Sequence, residues 1–247
     1  MKLFVNDKLF SNQCTSFHVV KTFLSFTVST EGLSHELFNY DLNKKLPKPA
    51  SANQSGQEMP IHPKLEDSSN FNVRAIERGA KIVTVDKGIR TVLQMPRGNL
   101  EGIYPRIITL KQVIEDIENL KYGRAFRCLR QHKIDLNLMY DVNPGQFIAN
   151  VGRFVDEVKQ VDFLNLFINS LVNEESGTEL QFMRPKDKED EIREQHKIFL
   201  KEKIEGQKIV SATNKVNSVC QALKDEFLKS NESGNFLLPI LTVYVKK

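Results

Sequence analysis

VLQMPRGNLEGIYPRIITLKQVIEDI, residues 92–117, changes its hydrophobic period partway along. Val92, Leu93 and Met95 form a short apolar run of the kind that makes a strand. From Ile107 the apolar residues fall at 107, 110, 113, 114 and 117, the stripe of an amphipathic helix. Pro96, Gly98, Asn99, Gly102 and Pro105 punctuate the interval, and Pro105 suits a first helical position, where its missing N–H costs nothing. A chain built around this switch is β before the hinge and α after it. The stretch predicts a mixed fold in two parts, residues 1–98 and 99–247.

Toward the amino terminus the pattern stays strand-like. KLFVNDKLF places two apolar clusters around Asn6-Asp7, a hairpin turn signal. SFHVV (16–20), FLSFTV (23–28) and HELFNYDL (35–42) follow across short turns, which predicts one antiparallel meander, as in a propeller blade or a hairpin-rich sandwich. Residues 43–72 hold four of the nine prolines and little that can pack, and read as a long disordered loop. Strand character returns in AKIVTVD (80–86) and RTVLQM (90–95), around Lys87-Gly88.

Toward the carboxyl terminus helices succeed one another. Helices are expected at 106–120 and 121–132, the second with Tyr122, Ala125, Phe126 and Leu129 on one face. Asp135 can cap a short helix, LNLMY. Asn143-Pro144-Gly145-Gln146 has the form of a capping box opening a helix with Phe147, Ile148, Val151, Phe154, Val155 and Val158 as its stripe. Asp162 is a candidate cap for FLNLFINSLV, apolar on nearly every side. Residues 173–187 read as a polar linker, and 188–208 as a charged helix with a thin apolar stripe. Val216, Val219, Cys220, Leu223 and Phe227 make the next packing face, and FLLPILTVYVKK a final helix. Connections this short stack helices in antiparallel pairs, and without a strict 34-residue period the array is a degenerate solenoid.

Composition narrows the classes. The 247 residues are 40% apolar and 27% charged with a net charge of +4, enough for a core and too mild a bias to indicate nucleic acid alone. No run of about 18 apolar residues predicts a membrane span, and MKLFVNDKLFSNQ lacks the apolar stretch of a secretory leader. Cys14, Cys128 and Cys220 lie far apart with no CxxC, as in a reducing compartment.

The candidate chemistry is thin. Cys128 and His132 stand four apart on one helix, but no second pair follows at zinc spacing. PRGNLEG lacks the GxxxxGK[ST] and GxGxxG of phosphate loops and reads as a hinge with an Asn cap. Glu115, Asp116, Asp187, Glu189, Asp190 and Glu191 offer carboxylates, but no serine or cysteine stands in a nucleophile context. Lys121, Arg124, Arg127, Arg130 and Lys133 form a basic cluster that could meet RNA or an acidic partner. Their spacing of three drifts around a helix, so a solvated face explains them too. No catalytic, cofactor or metal residue is expected.

IERGAKIVTV, VLQMPRGNLEGIYPR, RQHKIDLNLMYDVNP, VDFLNLFINSL and LLPILTVYVKK, in this order and spacing, resemble a central stretch of the largest-subunit family of the Elongator complex. PRGNLE and DLNLMYD are the most specific parts, and the resemblance runs from Leu3 to Lys247, weakest across 43–72 and 188–208. It implies two amino-terminal propellers of WD-repeat type, then a tetratricopeptide-like α-solenoid, then a dimerisation region. On that plan 1–98 is the carboxy-terminal part of the second propeller and 99–247 is solenoid. The chain stops before the dimerisation region and the basic segment associated with tRNA contact, as a fragment or truncated product would.

Function follows as what the resemblance implies. The chain is a non-catalytic scaffold segment supporting wobble-uridine modification of tRNA, in the cytoplasm and also the nucleus. Its partners are the catalytic subunit and the accessory propeller subunit, with tRNA contact indirect, no cofactor and no membrane. The alternatives are a propeller-plus-solenoid scaffold of vesicle-coat type and a direct tRNA-binding module using Lys121–Lys133.

Overall fold

A computed structural model describes residues 1–29, 34–43, 73–86, 88–174, 214–229 and 236–246. The expected loop at 43–72, the linker beyond Glu174 and the charged helix at 188–208 lie outside the described residues, save Asn43, Asn173 and Glu174 themselves. The chain divides into two compact units, Met1–Thr109 and Leu110–Lys247. Among the described residues no helix is long and apolar enough to cross a membrane.

Among the described residues the strands of the first unit pair antiparallel throughout. Asn6 and Asp7 both adopt left-handed backbone (φ 49° and 61°), the geometry a two-residue hairpin needs, and join β1 (Leu3–Val5) to β2 (Lys8–Ser11) as a sheet of their own. The four-stranded sheet runs β3 (Cys14–Val20), β4 (Phe23–Ser29), β5 (Ser34–Asp41), β6 (Val73–Glu77). β4 does not alternate, because Phe23 through Val28 are all buried and the strand is covered on both faces. On one side Phe10, Phe26, Phe38 and Tyr40 meet, with Phe26 stacked on Phe38 at 5.1 Å and Phe10 edge-on to Tyr40 at 5.1 Å. On the other, Leu37 packs with Ile82 and Leu93 of the third sheet, β7 (Lys81–Asp86), β8 (Arg90–Gln94) and β9 (Leu100–Ile103). The Ile82 N–H donates to Ser16 Oγ at 2.8 Å, fastening β7 to β3.

Two strands depart from the sequence reading. The four-stranded sheet is completed by β6, whereas the pattern places the return of strand character at Ala80 and counts β1 and β2 in the meander. The hinge at 96–105 is a hairpin. Met95 N–H donates to the Asn99 carbonyl at 2.8 Å, Gly98 N–H donates to the Met95 carbonyl at 2.9 Å, and Gly98 takes φ +88°, which glycine adopts without strain. β9 then pairs with β8, Leu93 opposite Glu101, so strand structure runs past residue 98 to Ile103, and helix begins at Arg106, where the periodicity placed it. Asn99 is a hairpin residue and caps no helix.

Among the described residues the second unit is helical apart from its connections. Its helices are α1 (Arg106–Glu118, which starts in the first unit), α2 (Tyr122–Gln131), α3 (Leu138–Asp141), α4 (Pro144–Ala149), α5 (Val151–Val158), α6 (Val161–Ser170), α7 (Lys215–Lys229) and α8 (Leu237–Lys246). Their stripes converge on one core centred on the rings of Tyr122, Phe126, Phe147, Phe154 and Phe167, with Phe154 4.9 Å from Phe167 and 5.2 Å from Phe147. Asn143 Oδ1 accepts the Gln146 N–H at 3.0 Å, one half of the expected box. The other half is absent, because Gln146 Nε2 donates instead to the Glu118 carbonyl at 2.9 Å and ties α4 to the end of α1.

The single helix expected from Pro144 breaks at Asn150, whose Nδ2 donates to the Gln146 carbonyl at 2.8 Å and whose backbone leaves the helical region. Asp162 is no cap: Gln160 holds that position with no side-chain capping bond, and Asp162 sits in the first turn. Leu166 of α6 is exposed, so that helix buries one side, with Leu164, Phe167 and Ile168.

Candidate functional site: the basic side of α2

α2 turns Tyr122, Gly123, Ala125, Phe126 and Leu129 inward and leaves Lys121, Arg124 and Arg127 exposed. Gly123 is there for proximity. Its N–H donates to Glu157 Oε2 at 2.8 Å, and a Cβ on it would lie 2.8 Å from the Glu157 carbonyl oxygen, so a larger residue would push α5 away. Burial raises the Glu157 carboxyl pKa, but the Gly123 N–H, the bond from Arg153 and the charges of Arg153 and Arg127 outweigh it and hold the group below its ordinary value.

The five basic residues divide into two kinds. Arg124 is anchored by a two-toothed ion pair with Asp116 of α1, Nε to Oδ2 at 2.6 Å and Nη2 to Oδ1. That hydrogen bond raises the arginine's pKa further, and Asp116 is only 2% exposed. Arg130 lies over the Phe163 ring of α6, its guanidinium carbon 3.9 Å from the centroid. Lys121, Arg127 and Lys133 make no ion pair among the described residues. Lys133 sits past the end of α2 in left-handed backbone, φ 52°, away from the run of the other four. Arg124, Arg127 and Arg130 are all exposed, each about 60° round the helix from the last, with Lys121 just before its first turn and Arg130 laid on Phe163.

Cys128 is half-buried, and its thiol is pushed up to about 11 by burial and by Asp116, so it stays protonated at neutral pH. Among the described residues no three His, Cys, Asp or Glu side chains gather where a metal could sit. Glu115 and Asp116 do not share a site, since Asp116 faces Arg124; Asp187, Glu189, Asp190 and Glu191 lie outside the described residues.

What sequence reasoning missed is a polar clasp in DLNLMYD. Asp135 Oδ1 accepts the backbone N–H and Nδ2 of Asn137, at 2.9 and 2.8 Å. Buried Asn137 then donates from Nδ2 to the Ser170 carbonyl and accepts the Val172 N–H, gripping the end of α6. Asp141 receives Lys215 of α7 at 2.7 Å, with the two side chains 3% and 7% exposed. Lys215 also donates to the Glu174 carbonyl at 3.2 Å, and Asn173 Oδ1 accepts the Val216 N–H at 3.2 Å. The signal available was the set of polar residues at 135, 137 and 141 in an otherwise apolar run.

Comparison with known families fits this anatomy. A model described as the ELP1 alpha-solenoid matches residues 106–247, beginning at the first residue of α1, and one described as the ELP1 N-terminal second beta-propeller matches residues 1–83. The chain belongs to the ELP1 family. It is 32% identical over 250 residues to the putative elongator complex protein 1 of Xenopus laevis, covering 100% of this chain and 19% of that protein. It is 34% identical over 260 residues to Elongator complex protein 1 of Saccharomyces cerevisiae, covering 100% and 18%. Against the protein of that name in Schizosaccharomyces pombe it is 37% identical over 180 residues, covering 72% and 13%. The chain thus spans less than a fifth of the length of these ELP1 relatives. In family terms it holds strands from the second propeller and helices from the solenoid, with β8 and β9 falling between the two matched stretches.

Proposed function

We propose that this chain is a non-catalytic scaffold segment of the Elongator complex, supporting wobble-uridine modification of tRNA that other subunits carry out. The observation behind the reading is that alignment with Elongator complex protein 1 runs the whole length of the chain in both Xenopus laevis and Saccharomyces cerevisiae. The site chemistry agrees with a scaffold. Within the helical unit the buried carboxylates and amide among the described residues are Asp116, Asn137 and Asp141, and each is engaged by a structural partner. Its partners on this reading are the catalytic subunit and the accessory propeller subunit, in the cytoplasm and also the nucleus. The test is affinity purification of the tagged chain from cells. Recovery of those subunits supports the proposal, and recovery of vesicle-coat proteins instead would reverse it.

The exposed Lys121, Arg127 and Lys133 favour a second reading, direct contact with tRNA. Lys121→Ala with Arg127→Ala tests it without stranding Asp116. Loss of a steeply salt-dependent binding to labelled tRNA supports direct contact, and unchanged binding removes it.

A further inference from the structure

Within the second unit, α8 is amphipathic the wrong way round for a surface helix. Pro239 and Val243 are buried, with Ile240 half-buried beside them. Thr242 Oγ1 donates to Asn165 Oδ1 at 3.1 Å and Lys246 Nζ donates to the Asn169 carbonyl at 3.0 Å, so both polar side chains turn toward α6. Lys224 of α7 lies over the Tyr244 ring, 4.6 Å from its centroid, on the other flank. Leu237, Leu238, Leu241, Tyr244 and Val245 are all exposed. At 100° per residue they form one continuous outward stripe, about 120° wide and centred on Leu241. A surface helix ordinarily keeps that side polar, and a contiguous apolar stripe of this size marks a place where another surface docks.

The stripe also restricts its occupant. It carries no charge, so a nucleic-acid backbone or an acidic peptide has nothing to meet there. A helix that lies on lipid has a polar face rich in Lys and Arg, and α8 has Lys246 alone. A second stripe of the same kind fits. Crossed antiparallel about a two-fold axis at Leu241, two copies set Leu237 and Leu238 of one against Tyr244 and Val245 of the other. The two Lys246 ammoniums then stand at opposite ends, about 15 Å apart along the helix, and no like charges face each other. Covering both stripes removes about 1,000 Å² from water, the lower limit of a specific interface. An interface of that size makes a weak pair.

We propose that two copies of this chain associate through α8, antiparallel and centred on Leu241. The pairing is independent of the Elongator reading and of the α2 face. The experiment is sedimentation equilibrium of the full chain over about 1–100 µM, where the mass should rise from one chain toward two. Leu241→Glu sets two carboxylates against each other at the centre and should weaken association at least about tenfold. Leu100→Glu, an exposed strand position in the first unit, should leave the rise unchanged. Thermal melts by circular dichroism check folding. Should Leu241→Glu unfold, Leu241→Cys decides: in mild oxidant it should yield a disulfide-linked dimer, and Leu100→Cys should not. A mass of one chain at every concentration would overturn the proposal. So would a rise that survives Leu241→Glu, cross-linking as fast from Leu100→Cys, or binding to phosphatidylcholine vesicles through Leu241 in place of self-association.

Discussion

The ion pair of Lys215 and Asp141 sets the size of what one residue can do. Both side chains are withdrawn from water, so removing one leaves the other's charge buried without its counter-charge. Lys215→Ala should cost about 3 kcal/mol in urea denaturation, whereas Lys215→Met combined with Asp141→Leu should recover most of it. A loss below about 1 kcal/mol for the single change would mean that water reaches the pair. His35 behaves differently because it is buried neutral. Its Nδ1 accepts the Gly79 N–H, and burial first, with Arg78 beside it, lowers its pKa from 6.5. The unfolded chain therefore takes up the proton first as pH falls. Stability from this residue is present above pH 6.5 and lost below it, as the pH falls toward and through the lowered value. Denaturation midpoints followed downward from neutrality should fall more steeply for the native chain than for His35→Gln. Parallel curves would show that His35 is as accessible to protons folded as unfolded.

Elements were legible where their signal was local. The faces of α2, α5 and α7 could be read because Tyr122, Phe126, Phe154, Val219 and Phe227 repeat at helical spacing within a few residues of one another. β6 and β9 could not. VRAIE and LEGI alternate weakly and expose most of their side chains, and each is a strand because its backbone pairs with β5 or β8. Helix ends were equally hidden. α1 and α2 both close with a residue in left-handed backbone that is not glycine, Leu120 at φ 58° and Lys133 at φ 52°. Lys133 is exposed, so Lys133→Gly removes strain without removing packing and should stabilise the helical unit by about 0.5–1 kcal/mol. A lower melting temperature for that variant would show the lysine side chain making a contact worth more than the strain. The basic cluster was visible in the sequence, but its division into anchored and exposed members was not, since Asp116 and Phe163 reach Arg124 and Arg130 from other helices.

At the scale of the whole molecule the junction after Ile103 invites separation. Cutting between Tyr104 and Pro105 spares the hairpin of β8 and β9, which a cut at 98 would destroy. Residues 105–247 hold a core that draws on α1 through α8, and should be soluble and strongly helical alone. Residues 1–104 hold, among the described residues, sheets of two, four and three strands, with β6 and β9 at sheet edges and Leu100 exposed. That piece should aggregate or remain unfolded. A monomeric, cooperatively melting 1–104 measured by circular dichroism would establish the strands as a self-sufficient domain.

The bonds that join Asn173 to Val216 and Glu174 to Lys215 bring together two points far apart along the chain. Both bonds fall on the first two residues of α7, so its opening turn is set by residues that lie just past the end of α6. Replacing Asn173 or Lys215 would therefore open a joint between distant stretches of sequence rather than a local turn.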